Sequence, residues 1–259
     1  MRILITNDDG IRAEGLRVLN RIATAIAGDE NVWTVAPASE QSGVGHCISF
    51  SRAMQIEQVG ERDFAVDGSP ADCVLAGLFD VMDEAKPDLV LSGVNRGNNS
   101  AENTLYSGTI GAVMEAALHH VKGIALSQYY GPRNRELGDT FEAANAHGEA
   151  VVRSLLDEAP WHEGPYDLFY NVNFPPVPAA DVAGVKAVAQ GWRETTEFKT
   201  VPQMRGMRRF LWIDGGPQDV PTAPGTDAHA NLEGFVSVTP MRADLTCQNS
   251  LDRLRGVFQ

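Results

Sequence analysis

Short apolar runs alternate with segments whose apolar residues recur at helical spacing, and this alternation fills the first two-thirds of the chain. Ile3-Leu4-Ile5 has no polar interruption, the pattern of a strand buried on both faces. Leu19, Ile22, Ala23 and Ile26 then line one face of a helix. Val32-Trp33-Thr34-Val35-Ala36 predicts a second strand, ended by Pro37, and a loop rich in Ser, Gly and Gln runs from Ala38 to His46. Alternation around Ile48–Phe50, Met54–Ile56 and Phe64–Val66 predicts a small antiparallel excursion. Ser69-Pro70-Ala71-Asp72 reads as a helix start, with Ser as N-cap and Pro at the first helical position. Leu89–Ser92 is a further buried strand, followed by a polar loop from Gly93 to Tyr106. Ile110, Val113, Met114 and Ala117 mark a helix beginning near Thr109, and Ile124–Leu126 is the next strand. A long helix is expected from about Thr140 to Leu156, then a strand at Leu168–Val172, then the break Pro175-Pro176-Val177-Pro178. Strands alternating with helices define an α/β protein with parallel βαβ units.

Beyond the break the pattern changes. Val185–Val188 and Arg208–Trp212 read as the two arms of an extended hairpin, Phe235–Thr239 as a late strand, and Leu251–Phe258 as weakly helical. The expected division is a catalytic α/β domain over residues 1–180 and a hairpin-bearing extension over 181–259, too polar to hold its own core. It is expected to pack on the first part or on a partner subunit.

Charge narrows the class. With 21 basic and 34 acidic side chains the net charge is −13, which repels nucleic acid and anionic membranes. A phosphate-bearing ligand on such a chain needs a cation or local amide donors. The three cysteines, Cys47, Cys73 and Cys247, form no CxxC pair, which argues against a disulfide framework or a thiolate metal site. A first strand starting at Arg2 leaves no room for a signal peptide, and no stretch is apolar enough to span a bilayer, so a cytoplasmic protein is expected.

Candidate chemistry falls at strand ends. In Thr6-Asn7-Asp8-Asp9-Gly10 two adjacent carboxylates stand where a buried strand must stop. Like charges there are costly to desolvate, and a hard divalent cation would relieve both repulsion and burial. The same letters also spell a plain Asp-Gly turn. Ser42-Gly43 and Asn95-Arg96-Gly97 likewise read either as turns or as neutral oxygen donors. Ser107 could simply cap a helix, yet Ser107-Gly108-Thr109 is also a seat for an anion, with free amides and a helix dipole. The coincidence of carboxylates, neutral oxygens and an anion seat on one sheet edge favours a ligand site. His46 is the histidine nearest these loops. The chain lacks GxxxxGK[ST], a GxGxxG after the first strand, and GxSxG, which sets aside a P-loop NTPase, a dinucleotide binder and a serine hydrolase.

The ordered segments ITNDDG, APASEQSGVGH, DGSPADCVLAG, PDLVLSGVNRG and YSGTIGAVMEA strongly resemble the SurE family of survival-protein nucleotidases. The likeness is densest to about residue 128 and continues loosely to Val236–Pro240. The resemblance implies a Rossmann-like, doubly wound, mostly parallel sheet, with an extended hairpin and a C-terminal arm used for oligomerisation. It implies a divalent-metal-dependent phosphatase acting on nucleoside 5′- and 3′-monophosphates, with one Mg²⁺ or Mn²⁺ per subunit; short polyphosphate stays open as a substrate. The family's metal ligands fall on Asp8, Asp9, Ser42 and Asn95, and its phosphate contacts on Asn99, Ser107, Gly108 and Thr109. Asp8 and Asp9 are the expected catalytic residues, with Gly43 and His46 as further candidates. Dimers or tetramers with a swapped C-terminal arm are implied too. Ser69 stands where the family usually has Thr, and the loop 98–103 departs from the glycine- and aspartate-rich form of relatives. A non-catalytic nucleotide-binding or regulatory protein on the same scaffold is the alternative reading.

Overall fold

The computed structural model describes residues 1–131, 133–193 and 198–258. The elements are, in order, β1 (Ile3–Thr6), α1 (Glu14–Ala27), β2 (Val32–Pro37), β3 (Ile56–Gln58), β4 (Asp63–Val66) and α2 (Pro70–Ala76). They continue with β5 (Leu89–Arg96), α3 (Gly108–Leu118), β6 (Lys122–Gln128), α4 (Glu142–Glu158), β7 (His162–Glu163), β8 (Tyr166–Asp167) and β9 (Phe169–Phe174). The last are β10 (Val185–Ala187), β11 (Lys199–Arg205), β12 (Arg208–Asp214), α5 (Asp227–Leu232), β13 (Val236–Met241) and α6 (Gln248–Arg255).

Nine strands form one sheet in the order β10-β13-β9-β6-β5-β1-β2-β4-β3. The run from β9 to β4 is parallel, while β3 lies antiparallel to β4 and β13 antiparallel to β9. Helices cover both faces, and the strands show why. Ile3 and Ile5 join one apolar layer while Leu4 joins the other. Leu89 and Leu91 oppose Val90 in the same way, as do Ile124 and Leu126 with Ala125. Period-two geometry with both faces apolar requires two helical layers. One contains α1 and α4 through Leu16, Leu19, Ile22, Val151 and Val152; the other contains α2 and α3 through Val74, Ile110, Val113 and Ala116. The predicted cap holds: Ser69 Oγ accepts from Asp72 N at 3.1 Å, and Asp72 Oδ2 accepts from Ser69 N at 2.8 Å.

Two pairings differ from the sequence expectation. β10 does not pair with residues 208–212; it lies parallel to β13 at the sheet edge, and the extended hairpin is β11 with β12. β4 runs parallel to β2, so only its pairing with β3 is antiparallel, and Ile48–Phe50 forms no strand. In each case a three- or four-residue strand leaves its partner to be chosen by distant register rather than by local pattern. The sheet therefore extends into residues 181–259 through β10 and β13, while β11 and β12 stand clear with every residue exposed.

Candidate functional site

After β1 the chain crosses to β2 on one side, and later returns to place β5 on the other. This reversal makes a crevice at the carboxyl ends of β1 and β5, where open α/β sheets take their ligands. The loop leaving β1 is closed by its own residues: Asn7 Nδ2 donates to the Gly10 carbonyl at 2.9 Å, and Gly10 N donates to Asn7 Oδ1 at 3.1 Å. Gly10 has φ 98°, a left-handed conformation that a side chain would resist. Gln41 N donates to the Asp8 carbonyl at 2.7 Å, which draws in the loop carrying Ser42. The amino end of α3 abuts Asp8 so closely that a Cβ on Gly108 would lie 3.1 Å from the Asp8 Cβ.

A cavity of about 440 Å³ results, lined by Asp8, Asp9, Ser42, Gly43, Asn95, Asn99 and Ser107 among others. Asp8 is 4% exposed, and its Oδ1 accepts from Thr109 Oγ1 at 2.8 Å. Burial first, and the Asp9 charge second, push its pKa up to about 6. Burial also raises Asp9, with Glu40 adding repulsion; the Arg96 amide, donating to Asp9 Oδ2 at 3.2 Å, opposes this. The shifts record two desolvated carboxylates in want of positive charge.

Among the described residues no three His, Cys, Asp or Glu side chains converge as a metal cluster. Two adjacent carboxylates beside neutral oxygens nevertheless make an oxygen-only donor set that fits a hard divalent cation. Asn95 Nδ2 is committed to the Gly97 carbonyl at 3.0 Å, and its Oδ1 carries no hydrogen bond among the described residues. Ser42 Oγ donates to Glu40 Oε1 at 2.8 Å, so it keeps lone pairs for a cation.

The expected phosphate contacts separate. Asn99 and Ser107 line the cavity; Ser107 Oγ also accepts from Ile110 N at 3.1 Å, so capping and cavity lining coexist. The first amide of α3, at Gly108, has no partner among the described residues. Thr109 is fully buried and holds Asp8. His46 lies next door in a larger, mainly apolar cavity of about 690 Å³, its Nε2 2.5 Å from Glu115 Oε2; His119 meets the other Glu115 oxygen at 2.9 Å.

Sequence reasoning passed over Glu40, Asn98, Asn103, Tyr106 and Phe198, which also line the site, and Arg193 behind it. All five N–H groups of the Arg193 guanidinium are engaged, and the residue is 1% exposed. Nη2 donates to Asn98 Oδ1 and Ser100 Oγ, each at 2.9 Å. Nη1 donates to the Ser100 carbonyl at 3.1 Å and Glu102 Oε1 at 3.2 Å, and Nε to the Gln218 carbonyl at 3.3 Å. The one available signal was the Asn-rich stretch itself, which is too polar to be ordered by apolar packing.

A doubly wound sheet with adjacent carboxylates and a helix amino end at its switch point defines a Rossmann-like α/β protein. The chain belongs to the SurE family: the model described as Survival protein SurE matches residues 3–197. It is 63% identical to a 5′-nucleotidase SurE from Roseobacter denitrificans, covering 99% of each chain. It is also 63% identical to one from Ruegeria pomeroyi, covering 100% of each. The crystal structure of the SurE protein from Aquifex aeolicus is similar throughout, with TM-score 0.82 at 32% identity and 100% of both chains covered.

Proposed function

We propose that this chain is a divalent-metal-dependent phosphomonoesterase that hydrolyses nucleoside 5′- and 3′-monophosphates. The observation that carries the reading is Asp8, buried against Thr109 at the amino end of α3 and adjacent to the half-buried Asp9, with no ion pair to either carboxylate among the described residues. The 5′-nucleotidase relatives, similar over the whole chain, support the substrate class. Asp8, Asp9, Ser42 and Asn95 would hold one Mg²⁺ or Mn²⁺. Such a cation supplies Lewis-acid stabilisation of charge on the phosphoryl oxygens.

The remaining work falls to the side chains. Thr109 fixes Asp8 in one orientation through its hydroxyl. The Gly108 amide, the Ser107 hydroxyl and the Asn99 side chain bind phosphoryl oxygens that the helix dipole also favours. Asp9, the more open carboxylate, accepts a proton from the attacking water as its oxygen bonds to phosphorus. The ester P–O bond breaks and the nucleoside oxygen leaves with a proton from solvent water, while Asp9 returns its proton to solvent. The exposed β11–β12 ribbon, with Val201, Met204, Phe210, Leu211, Trp212 and Ile213 open, suits burial against further copies in a dimer or tetramer.

Phosphate release from a panel of 5′- and 3′-monophosphates and short polyphosphate, with Mg²⁺, Mn²⁺ or EDTA, tests the reading. Metal-supported release from the nucleotides, abolished by EDTA, is expected. Nucleotide binding that survives chelation, with no release under any metal, would make the chain a binding protein.

A further inference from the structure

The acidic site has one apolar wall. Tyr106 and Phe198 line the same cavity as Asp8 and Asp9, and both are exposed, 47% and 59%. Their rings meet edge to face, with centroids 5.4 Å apart and planes at 88°. They come from distant parts of the chain: Tyr106 closes the loop before α3, and Phe198 immediately precedes β11. Large exposed aromatics at the mouth of a polar cavity are a recognised design for a flat, partly polar ligand.

Position strengthens the case. Tyr106 is the residue before Ser107, so its Cα lies about 3.8 Å from that of the α3 N-cap. A phosphate seated at Ser107–Gly108 would leave its esterified group within reach of the aromatic pair. We propose that Tyr106 and Phe198 form a stacking platform for the nucleobase, assembled from the 98–106 loop and the foot of the β11–β12 hairpin. This rests on the nucleotidase reading above and assigns the part of the substrate that the carboxylates and helix do not touch.

The surrounding amides are partly engaged with the scaffold. Asn98 Oδ1 accepts from Ser100 and Arg193. Asn99 Nδ2 donates to Ser127 Oγ at 2.8 Å, and Asn103 Nδ2 donates to Gln218 Oε1 at 2.6 Å. The platform itself selects by ring area rather than by base edges. Stacking tolerates every base, because each has a π-face. Purines are favoured over pyrimidines by contact area, and base-free sugar phosphates are handled by the phosphate machinery alone.

The test is kcat/KM for adenosine 5′-monophosphate and for ribose 5-phosphate, in wild type, Tyr106→Ala, Phe198→Ala and Phe198→Tyr. The alanine variants should lose about 10-fold on the nucleotide, chiefly through KM. They should change little on ribose 5-phosphate, which also reports that the phosphate site is folded. Phe198→Tyr should retain nucleotide selectivity. Equal losses on both substrates, or none on either, would overturn the platform while leaving the nucleotidase reading intact. A wild type that releases phosphate from neither substrate would overturn that reading and the platform with it.

Discussion

The loop from Asn7 to Gly10 is closed locally by Asn7, whose two side-chain hydrogen bonds each span three residues, while its carboxylates accept from Thr109 and from the Arg96 amide. The loop from Asn98 to Tyr106, which lines the same cavity, is held from far along the chain. Asn99 N donates to Asn173 Oδ1 at 2.7 Å, and the Asn99 carbonyl accepts from Asn171 Nδ2 at 2.8 Å. Ala101, at φ 54°, donates its amide to Asp227 Oδ2 at 3.0 Å and accepts from Gln190 Nε2 at 3.0 Å. Arg193 ties down Asn98, Ser100 and Glu102. The carboxylates thus draw their support from the first half of the chain, through Gln41, Arg96 and Thr109, whereas the opposite wall of the cavity is held by Asn171, Asn173, Gln190, Arg193 and Asp227. The difference teaches that the region after the Pro-rich break is part of the site's foundation as well as a source of exposed hairpin.

The largest expected effect breaks the distant support. Arg193→Met keeps the apolar stem but leaves Glu102, 13% exposed at its side chain, and the Asn98 and Ser100 oxygens without their donor. Breaking a buried ion pair in this way costs about 3–5 kcal/mol, measurable by urea unfolding. Because the Asp8–Asp9 loop does not depend on Arg193, Mn²⁺ affinity of the folded variant should stay near wild type while KM for nucleotide rises.

Next in size is a pH effect on the carboxylate side. The folded pKa of Asp8 is raised to about 6 from an ordinary 3.8, so the folded state binds this proton more tightly than the unfolded chain. The cost is absent below about pH 4, grows as pH rises, and reaches about 3 kcal/mol above pH 6. Without metal, wild type should therefore lose stability relative to Asp8→Asn between about pH 4 and pH 7. Mn²⁺ should raise Tm more at about pH 8 than at about pH 5, since only the charged pair attracts it. Thermal unfolding of both proteins across pH checks this; a metal shift independent of pH would count against the carboxylate pair as its seat.

Smaller still is Asn7→Ala. It removes both closing hydrogen bonds and should cost about 2 kcal/mol. Here the signature should reverse that of Arg193→Met, with weakened Mn²⁺ affinity and little change in KM at saturating metal. Calorimetric titration together with steady-state kinetics separates the two patterns.

Legibility in the sequence follows the same divide. Ile3-Leu4-Ile5 followed by Asn-Asp-Asp-Gly is a local message: strand period, turn chemistry and candidate ligands lie within eight residues. Ser69 and Ser107 were readable as caps for the same reason, and both accept the expected amide. The strands β10 and β13 were readable too, but their partners were not. These short, half-polar strands carry no local sign of a partner, and β13 inserts beside β9 by register across more than 60 residues. Arg193 was invisible because a lone arginine ordinarily sits in solvent, and only the folded loop reveals acceptors for all five of its protons.

The most direct test of the central claim is Asp9→Asn, which preserves shape and removes one charge. Phosphate release and Mn²⁺ affinity would be measured beside wild type. Paired carboxylates that hold a cation and accept the water's proton predict at least a ~100-fold loss of kcat/KM, about 2.7 kcal/mol of transition-state stabilisation. Weaker Mn²⁺ binding should accompany it. A variant that keeps wild-type turnover, or turnover in wild type that ignores EDTA, would contradict the account.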